Sequence, residues 1–161
     1  MTDFVRVRFE LEPDEDGWPP VGSEGLWGVP LGDGLVRLDN SPWFALNIAA
    51  DDVVRTRADA DGVLWAVEKV RWSGNCTIRV VPFRAGPLGG SLQAVLDAFS
   101  PLGVDGEGVE QYGMVALNVP PTVDLAAAQR LLRRGVAEGW WDYEEGCVGD
   151  AWLAAGGVKE R

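Results

Sequence analysis

The sequence predicts an α+β fold in two parts, and three observations predict it. Short runs of alternating apolar and polar residues crowd the first half, each bounded by Gly, Asp or Pro. Two amphipathic runs of helical period, each preceded by a capping residue, fall only in the second half. The apolar stretches around those helices have the length of strands.

In chain order, Val5, Val7, Phe9 and Leu11 alternate with Arg6, Arg8 and Glu10, which predicts a strand with one buried face. The acidic Glu12–Pro20 segment (EPDEDGWPP) reads as a loop, because its paired prolines stop any ladder. Leu26–Leu31 and Leu35–Leu38 flank Gly32-Asp33-Gly34, a hairpin signal. Asp39-Asn40-Ser41-Pro42 opens an irregular stretch through Trp43-Phe44. Asp51-Asp52 reads as a turn in which Asp bonds its own backbone, leading into the β-branched run Val53–Arg57. Asp59–Gly62 turns the chain into Val63–Trp72, and Ser73-Gly74-Asn75 turns it into Cys76–Phe83. Strands this closely spaced predict an N-terminal antiparallel sheet or small β-barrel-like lobe.

Ser91 then caps a helix in which Leu92, Val95, Leu96 and Phe99 share a face, and Ser100-Pro101 ends it. Gly103–Gly108 (GVDGEG) reads as a turn: it follows a helix rather than a strand and carries two acids, unlike a dinucleotide-binding loop. Gly113–Val119 predicts a central strand closed by Pro120-Pro121. Asp124 caps a second helix with Leu125, Ala128, Leu132 and Gly135-Val136 on one side and Arg130, Arg133 and Arg134 toward solvent. Gly139 ends that helix, and Trp140-Trp141-Asp142-Tyr143 begins another strand. From Cys76 onward the order is therefore β-α-β-α-β, which fits a ferredoxin-like sheet with both helices on one face. The expected division is a mainly β lobe over 1–83 and an α+β lobe over 84–161, with strand 76–83 shared.

Composition narrows the chemistry. The chain has no histidine, which removes Ser-His-Asp and Cys-His nucleophile systems and any imidazole acid or base. Two cysteines, Cys76 and Cys147, without histidine do not make the usual four-ligand zinc site, and no cofactor is implied. Carboxylates remain as acid–base candidates: Glu24, Asp39, Asp51, Asp52 and Glu110. No catalytic residue is assigned. The formal charge of −11 repels phosphate backbones, so nucleic-acid binding would need Arg6, Arg8, Arg55 and Arg57 to gather on one face. No run approaches the roughly 18 apolar residues of a membrane span, and Met1-Thr2-Asp3-Phe4 does not resemble a secretory signal. The expectation is a cytoplasmic protein with reduced thiols and no membrane association.

What the composition favours is a basic protein partner. Acidity is densest at Asp14-Glu15-Asp16 and at Asp142, Glu144 and Glu145, and each cluster stands close to tryptophan. Trp18 lies in the first acidic loop, Trp43 in a Pro-Trp-Phe turn, and Trp140 and Trp141 point to opposite faces of any strand. Those residues form the candidate recognition surface, since aromatics beside acids suit a cationic ligand.

Several segments together resemble the family of domain of unknown function 4265, over about residues 4–150. They are Val5-Arg6-Val7-Arg8-Phe9, Glu24-Gly25-Leu26-Trp27, Leu38-Asp39-Asn40-Ser41-Pro42-Trp43-Phe44, Asp52-Val53-Val54 and Ser73-Gly74-Asn75-Cys76-Thr77-Ile78-Arg79-Val80. Asn75 stands where a histidine or similar polar residue is expected after Ser-Gly. The resemblance implies no activity, but it marks Glu24, Asp39, Asn40, Asp52, Thr77 and Arg79 as a candidate ligand or ion-pair cluster. Thr77 and Arg79 share one face of a strand, and a buried Arg79 needs a carboxylate, for which Glu24 or Asp39 could serve. The expected function is a protein-binding module, such as an acidic immunity or antitoxin-like inhibitor of a basic protein. The alternative is a small enzyme or ligand-binding domain using carboxylates and Arg79 in a cleft between lobes. The usage of Gly, Ala, Val, Asp and Arg resembles that of actinobacterial proteins.

Overall fold

The computed structural model describes residues 3–156, and the chain is α+β. Its first unit runs to Ser73 and is a five-stranded closed barrel. The strands are β1 (Val5–Glu10), β2 (Ser23–Gly32), β3 (Leu35–Leu38), β4 (Val53–Ala58) and β5 (Leu64–Arg71). Each runs antiparallel to the next, so an odd number of them closes with a parallel pair. β5 meets β1 at Val7↔Leu64 and Arg8↔Trp65. Alternation turns Val7, Phe9, Leu26, Val36, Leu38 and Val54 inward, and Ala45 and Ile48 from the β3–β4 loop complete this core. The β2–β3 hairpin turns on Gly32, Asp33 and Gly34, all at positive φ, as the Asp-Gly signal implies.

The second unit begins at Gly74. It contains β6 (Cys76–Pro82), α1 (Leu92–Phe99), β7 (Asp105–Val109), β8 (Met114–Val119), α2 (Leu125–Ala137), β9 (Trp141–Cys147) and α3 (Asp150–Ala154). The sheet order is β7-β8-β6-β9 and every pair is antiparallel. This is the split β-α-β arrangement of ferredoxin-like sheets. Ser91 Oγ accepts the Ala94 N–H at 3.1 Å, and Asp124 Oδ1 accepts the Ala127 N–H at 3.0 Å, so both expected caps form. Leu92, Val95 and Phe99 of α1, Ala128 and Leu132 of α2 and Trp152 of α3 pack with Ile78, Val80, Val115, Leu117, Trp141 and Tyr143 of the sheet.

Several expectations change. GVDGEG is not only a turn: Asp105–Val109 forms β7 on the edge beside β8. Glycines at 106 and 108 leave it without an apolar alternation to read, and a Cβ at Gly106 would stand 2.6 Å from the Ala116 carbonyl oxygen. The order from Cys76 is accordingly β-α-β-β-α-β, with α3 added. Ser100-Pro101 ends α1, but the chain continues as a 3₁₀ turn over Ser100–Leu102. Val136 is 42% exposed rather than part of the buried face of α2. The boundary falls between Ser73 and Gly74 instead of at 83/84, and β6 belongs to the second sheet. Both edges of β6 are taken, by β8 and β9, which leaves it none to share. Residues 1–2 and 157–161, included in the expected lobes, lie outside the described residues. Among the described residues no helix is long and apolar enough to cross a membrane.

Candidate functional site

In the barrel unit two of the candidate carboxylates, Glu24 and Asp52, act on backbone. Glu24, 6% exposed in β2, spreads its carboxylate over three consecutive amides of the β3–β4 loop. Oε1 accepts the Trp43 N–H, and Oε2 accepts those of Phe44 at 2.8 Å and Ala45 at 3.1 Å. Asp52, fully buried, holds the other end of the same loop. Its Oδ2 accepts the Ala49 N–H at 2.9 Å, its Oδ1 accepts the Ser73 N–H at 2.8 Å, and Lys69 Nζ lies 3.6 Å away. Asn40 Oδ1 accepts the Trp27 N–H at 3.0 Å. Asp39 continues the ladder through its own N–H, which donates to the Trp27 carbonyl at 2.8 Å, while its side chain is exposed. A loop drawn over a core arrives with unpaired amides, and a buried carboxylate is the strongest acceptor a side chain can offer them. Three of the six residues in the expected cluster, Glu24, Asn40 and Asp52, therefore fasten this loop with their side chains.

Beside the loop lies a cavity of about 480 Å³. Its walls are mainly Phe9, Leu11, Phe44, Ile48, Val54 and Ala66, with Leu46 and Val67 at the mouth, 62% and 46% exposed. Glu10, Glu12, Glu68 and Lys69 form its polar rim. The Lys69 ammonium is turned away toward the loop, donating to the Asn47 carbonyl at 2.6 Å and facing Asp52. Glu68 is paired with Arg55 at 2.8 Å, which leaves Glu10 and Glu12 to set the sign of the rim. None of Glu24, Asp39 or Asp52 lines this cavity.

The first acidic loop adjoins it. Asp14 Oδ1 accepts the N–H groups of Asp16 at 2.9 Å and Trp18 at 3.0 Å, while the Asp14 N–H donates to the Trp18 carbonyl at 2.7 Å. This self-fastened turn presents Trp18, 43% exposed, edge-on to Phe44 with centroids 5.5 Å apart. The next residue, Pro19, lines the cavity, as does Phe44. Glu15 and Asp16 are exposed. Trp43 is half-buried, and its buried indole N–H has no acceptor among the described residues.

The second unit treats its share differently. Thr77 and Arg79 stand on β6, 0% and 3% exposed. Arg79 Nη1 lies 3.7 Å from Glu144 Oε1, directly across the β6–β9 ladder. A Cβ at Gly146 would come within 2.5 Å of that guanidinium, so glycine there makes room for it. Trp141, one of the expected recognition residues, is fully buried instead: its Nε1–H donates to the Leu132 carbonyl at 3.1 Å, and its indole lies where a Cβ at Gly135 would be. Trp140 is half-buried beneath the Arg134 guanidinium, 5.4 Å from its ring. Glu145 accepts the Trp152 indole N–H. Asp142 and Glu144 keep exposed carboxylates, so this cluster offers less surface than its sequence suggests.

Cys76 and Cys147 are buried and form no disulfide, and burial pushes the Cys76 thiol up to about 11, which makes it a poor nucleophile. The four arginines that nucleic-acid binding would require do not form one strip: β1 and β4 are separated by β5 on one side and by β2 and β3 on the other. Arg6 covers the Trp27 ring at 4.9 Å and Arg55 pairs with Glu68 at 2.8 Å. Among the described residues no three His, Cys, Asp or Glu side chains gather as a metal site.

The site sequence reasoning missed is the cavity itself. It opens just past the two positions where β1 and β5 pair to close the barrel, a long-range arrangement that no local pattern encodes. The one available signal was Val67 and Val70 flanking Glu68-Lys69, a strand segment whose valines break the alternation expected of a half-buried strand.

With both units laid out, the class is that of a small barrel joined in sequence to a split β-α-β sheet. The family model described as "Domain of unknown function (DUF4265)" matches residues 24–143, and the chain belongs to that family. A solved structure titled "Novel crystal structure of a hypothetical protein from Neisseria gonorrhoeae" is similar in fold, with a TM-score of 0.72 and 23% identity over 93% of this chain and 97% of that one. No curated protein matches the sequence.

Proposed function

We propose that this chain is a protein-binding module for a basic partner, of the kind an immunity or antitoxin-like inhibitor provides, and that the barrel carries its docking surface. The observation that carries the reading is the apolar cavity rimmed by Glu10, Glu12 and Glu68 beside the fixed acidic turn that presents Trp18. Apolar walls supply contact area, and the acids select a cationic partner and speed its approach. The net charge of −11 extends that field beyond the rim. The alternative of carboxylate chemistry loses support, because Glu24 and Asp52 already spend their oxygens on backbone amides. The setting we propose is the cytoplasm, where two buried thiols outside any disulfide are at home.

The test is capture with the tagged chain from its own cells, identification of what is retained, and reconstitution from purified proteins. We expect a 1:1 complex with a basic protein whose dissociation constant rises roughly tenfold or more between low and high salt. A chain recovered without a stoichiometric partner, or a complex indifferent to salt, overturns the reading.

A further inference from the structure

We infer that the cavity at the β1–β5 seam receives an extended segment of the partner as an added strand on β5, with apolar side chains seated in the cavity and basic ones against the rim. The inference rests on the protein-binding reading above and specifies how the partner is held.

The seam is where the barrel closes least completely. β1 and β5 pair only at Val7↔Leu64 and Arg8↔Trp65. Beyond that point β1 continues through Phe9 and Glu10 bonded to β2 alone, and β5 continues to Arg71 paired to β4 alone. From Val67 to Val70 the second edge of β5 has no strand or loop backbone bonded to it among the described residues. The cavity opens between these two diverging segments, lined by Phe9–Glu12 from one and Ala66–Lys69 from the other. An open edge is a template for another strand, and proteins usually blunt such edges with charge, prolines or a covering loop. Here the unbonded stretch is the four residues Val67–Val70, charged at Glu68 and Lys69, with Val67 and Val70 each 46% exposed and Leu46 at 62% continuing the apolar surface outward.

Charge decides the occupant. Of the three rim carboxylates Glu68 is paired with Arg55 at 2.8 Å, and Glu10 and Glu12 carry the rim's negative charge, since the Lys69 ammonium is held by the Asn47 carbonyl and Asp52. Strand addition gives affinity through backbone bonds and specificity through the pockets that meet alternate side chains. A pocket of apolar walls and acidic rim thus selects a segment in which branched apolar and basic residues alternate. A volume of about 480 Å³ falls within the range of ligand pockets, roughly 300–1,000 Å³.

The probe is an end-capped peptide of alternating leucine and lysine, titrated into the ¹⁵N-labelled full chain, with a leucine–glutamate peptide as control. We expect amide shifts and slowed exchange confined to Val67–Val70 and Phe9–Glu12, and no binding of the glutamate peptide. The double variant Glu10→Lys, Glu12→Lys alters exposed side chains, so it should keep the wild-type melting temperature and weaken the lysine peptide about tenfold or more. Shifts centred elsewhere, equal binding of the two peptides, or a peptide bound as a helix overturn the inference. Concentration-dependent shifts of the same amides without peptide overturn it in favour of a second copy of this chain. If the partner identified above binds wild type and the double variant equally, strand capture at this seam fails while the protein-binding reading stands. If no partner forms a complex, the failure lies with that reading.

Discussion

The barrel unit and the split β-α-β unit face one problem, an apolar sheet surface that must be kept from water, and they cover it with different materials. The second unit uses helices, whose backbone is already paired, so Phe99, Leu132, Trp141 and Trp152 fill its core with no loop to fasten, and its buried polar side chains Thr77, Arg79 and Gln129 lie on the sheet and a helix. The barrel closes on itself and draws the β3–β4 loop over the remaining gap. That loop comes with unpaired amides, and Glu24 and Asp52 are buried to receive them. The barrel's cavity lies beside that loop, where β1 and β5 diverge.

Trp141→Ala should be the most damaging single change, costing about 3–5 kcal/mol in urea unfolding, because the indole is fully enclosed. Gly135→Ala attacks the same packing from the helix side. Its Cβ would fall 2.1 Å from the Trp141 ring, and a loss of about 1–3 kcal/mol is expected because neither the indole nor α2 can retreat cheaply. A neutral outcome for both would mean that the second core is as loosely filled as the first, and the contrast would be lost.

The barrel should fail through hydrogen bonding instead. Glu24→Gln replaces a carboxylate oxygen with an NH₂ group facing backbone donors, and Asp52→Asn does the same at the loop's far end. Each should cost about 1–3 kcal/mol. Amide exchange should quicken at Trp43–Ala45 in the first variant and at Ala49 and Ser73 in the second, with the second sheet unchanged. If exchange quickens evenly throughout the chain, the carboxylates are not local fasteners.

This division also explains what could be read beforehand. The strands, the hairpin at Gly32-Asp33-Gly34 and both long helices rest on period and capping, which are local, and Ser91 and Asp124 cap as their positions imply. β7 was hidden because Gly106 and Gly108 carry no side-chain pattern. Trp141 looked like surface because it stands beside Asp142, and burial depends on α2 arriving from earlier in the chain. Glu24 and Asp52 could be picked out as unusual, but their role depends on which amides a distant loop brings to them. The cavity left only the broken alternation at Val67 and Val70 in the sequence, since it lies where two strands diverge.

Alkaline pH should single out the second unit. Burial raises the Cys76 thiol to about 11 from an ordinary 9.0, and burial raises Tyr143 as well. Between those two values the unfolded chain has lost the Cys76 proton and the folded chain keeps it. Stability is then full below pH 9 and falls as pH climbs toward 11, by at most about 1.4 kcal/mol per pH unit for this thiol. Urea midpoints taken across that range at constant ionic strength test it, and Cys76→Ala should flatten part of the decline.

The smallest effect separates binding from folding in the barrel. Arg55 and Glu68 form an ion pair at 2.8 Å on the outer surface, with side chains 47% and 60% exposed. Solvent screens such a pair, so Arg55→Ala and Glu68→Ala should each shift stability by no more than about 0.5 kcal/mol. The two variants should nevertheless differ in binding. Glu68 stands on the cavity rim, so its loss should weaken the lysine-bearing peptide, whereas removing Arg55 frees the Glu68 carboxylate and should strengthen it slightly. Peptide titrations on both variants read this difference at nearly constant stability. Equal affinities would detach the rim charge from recognition and leave the cavity's apolar walls as its only contribution.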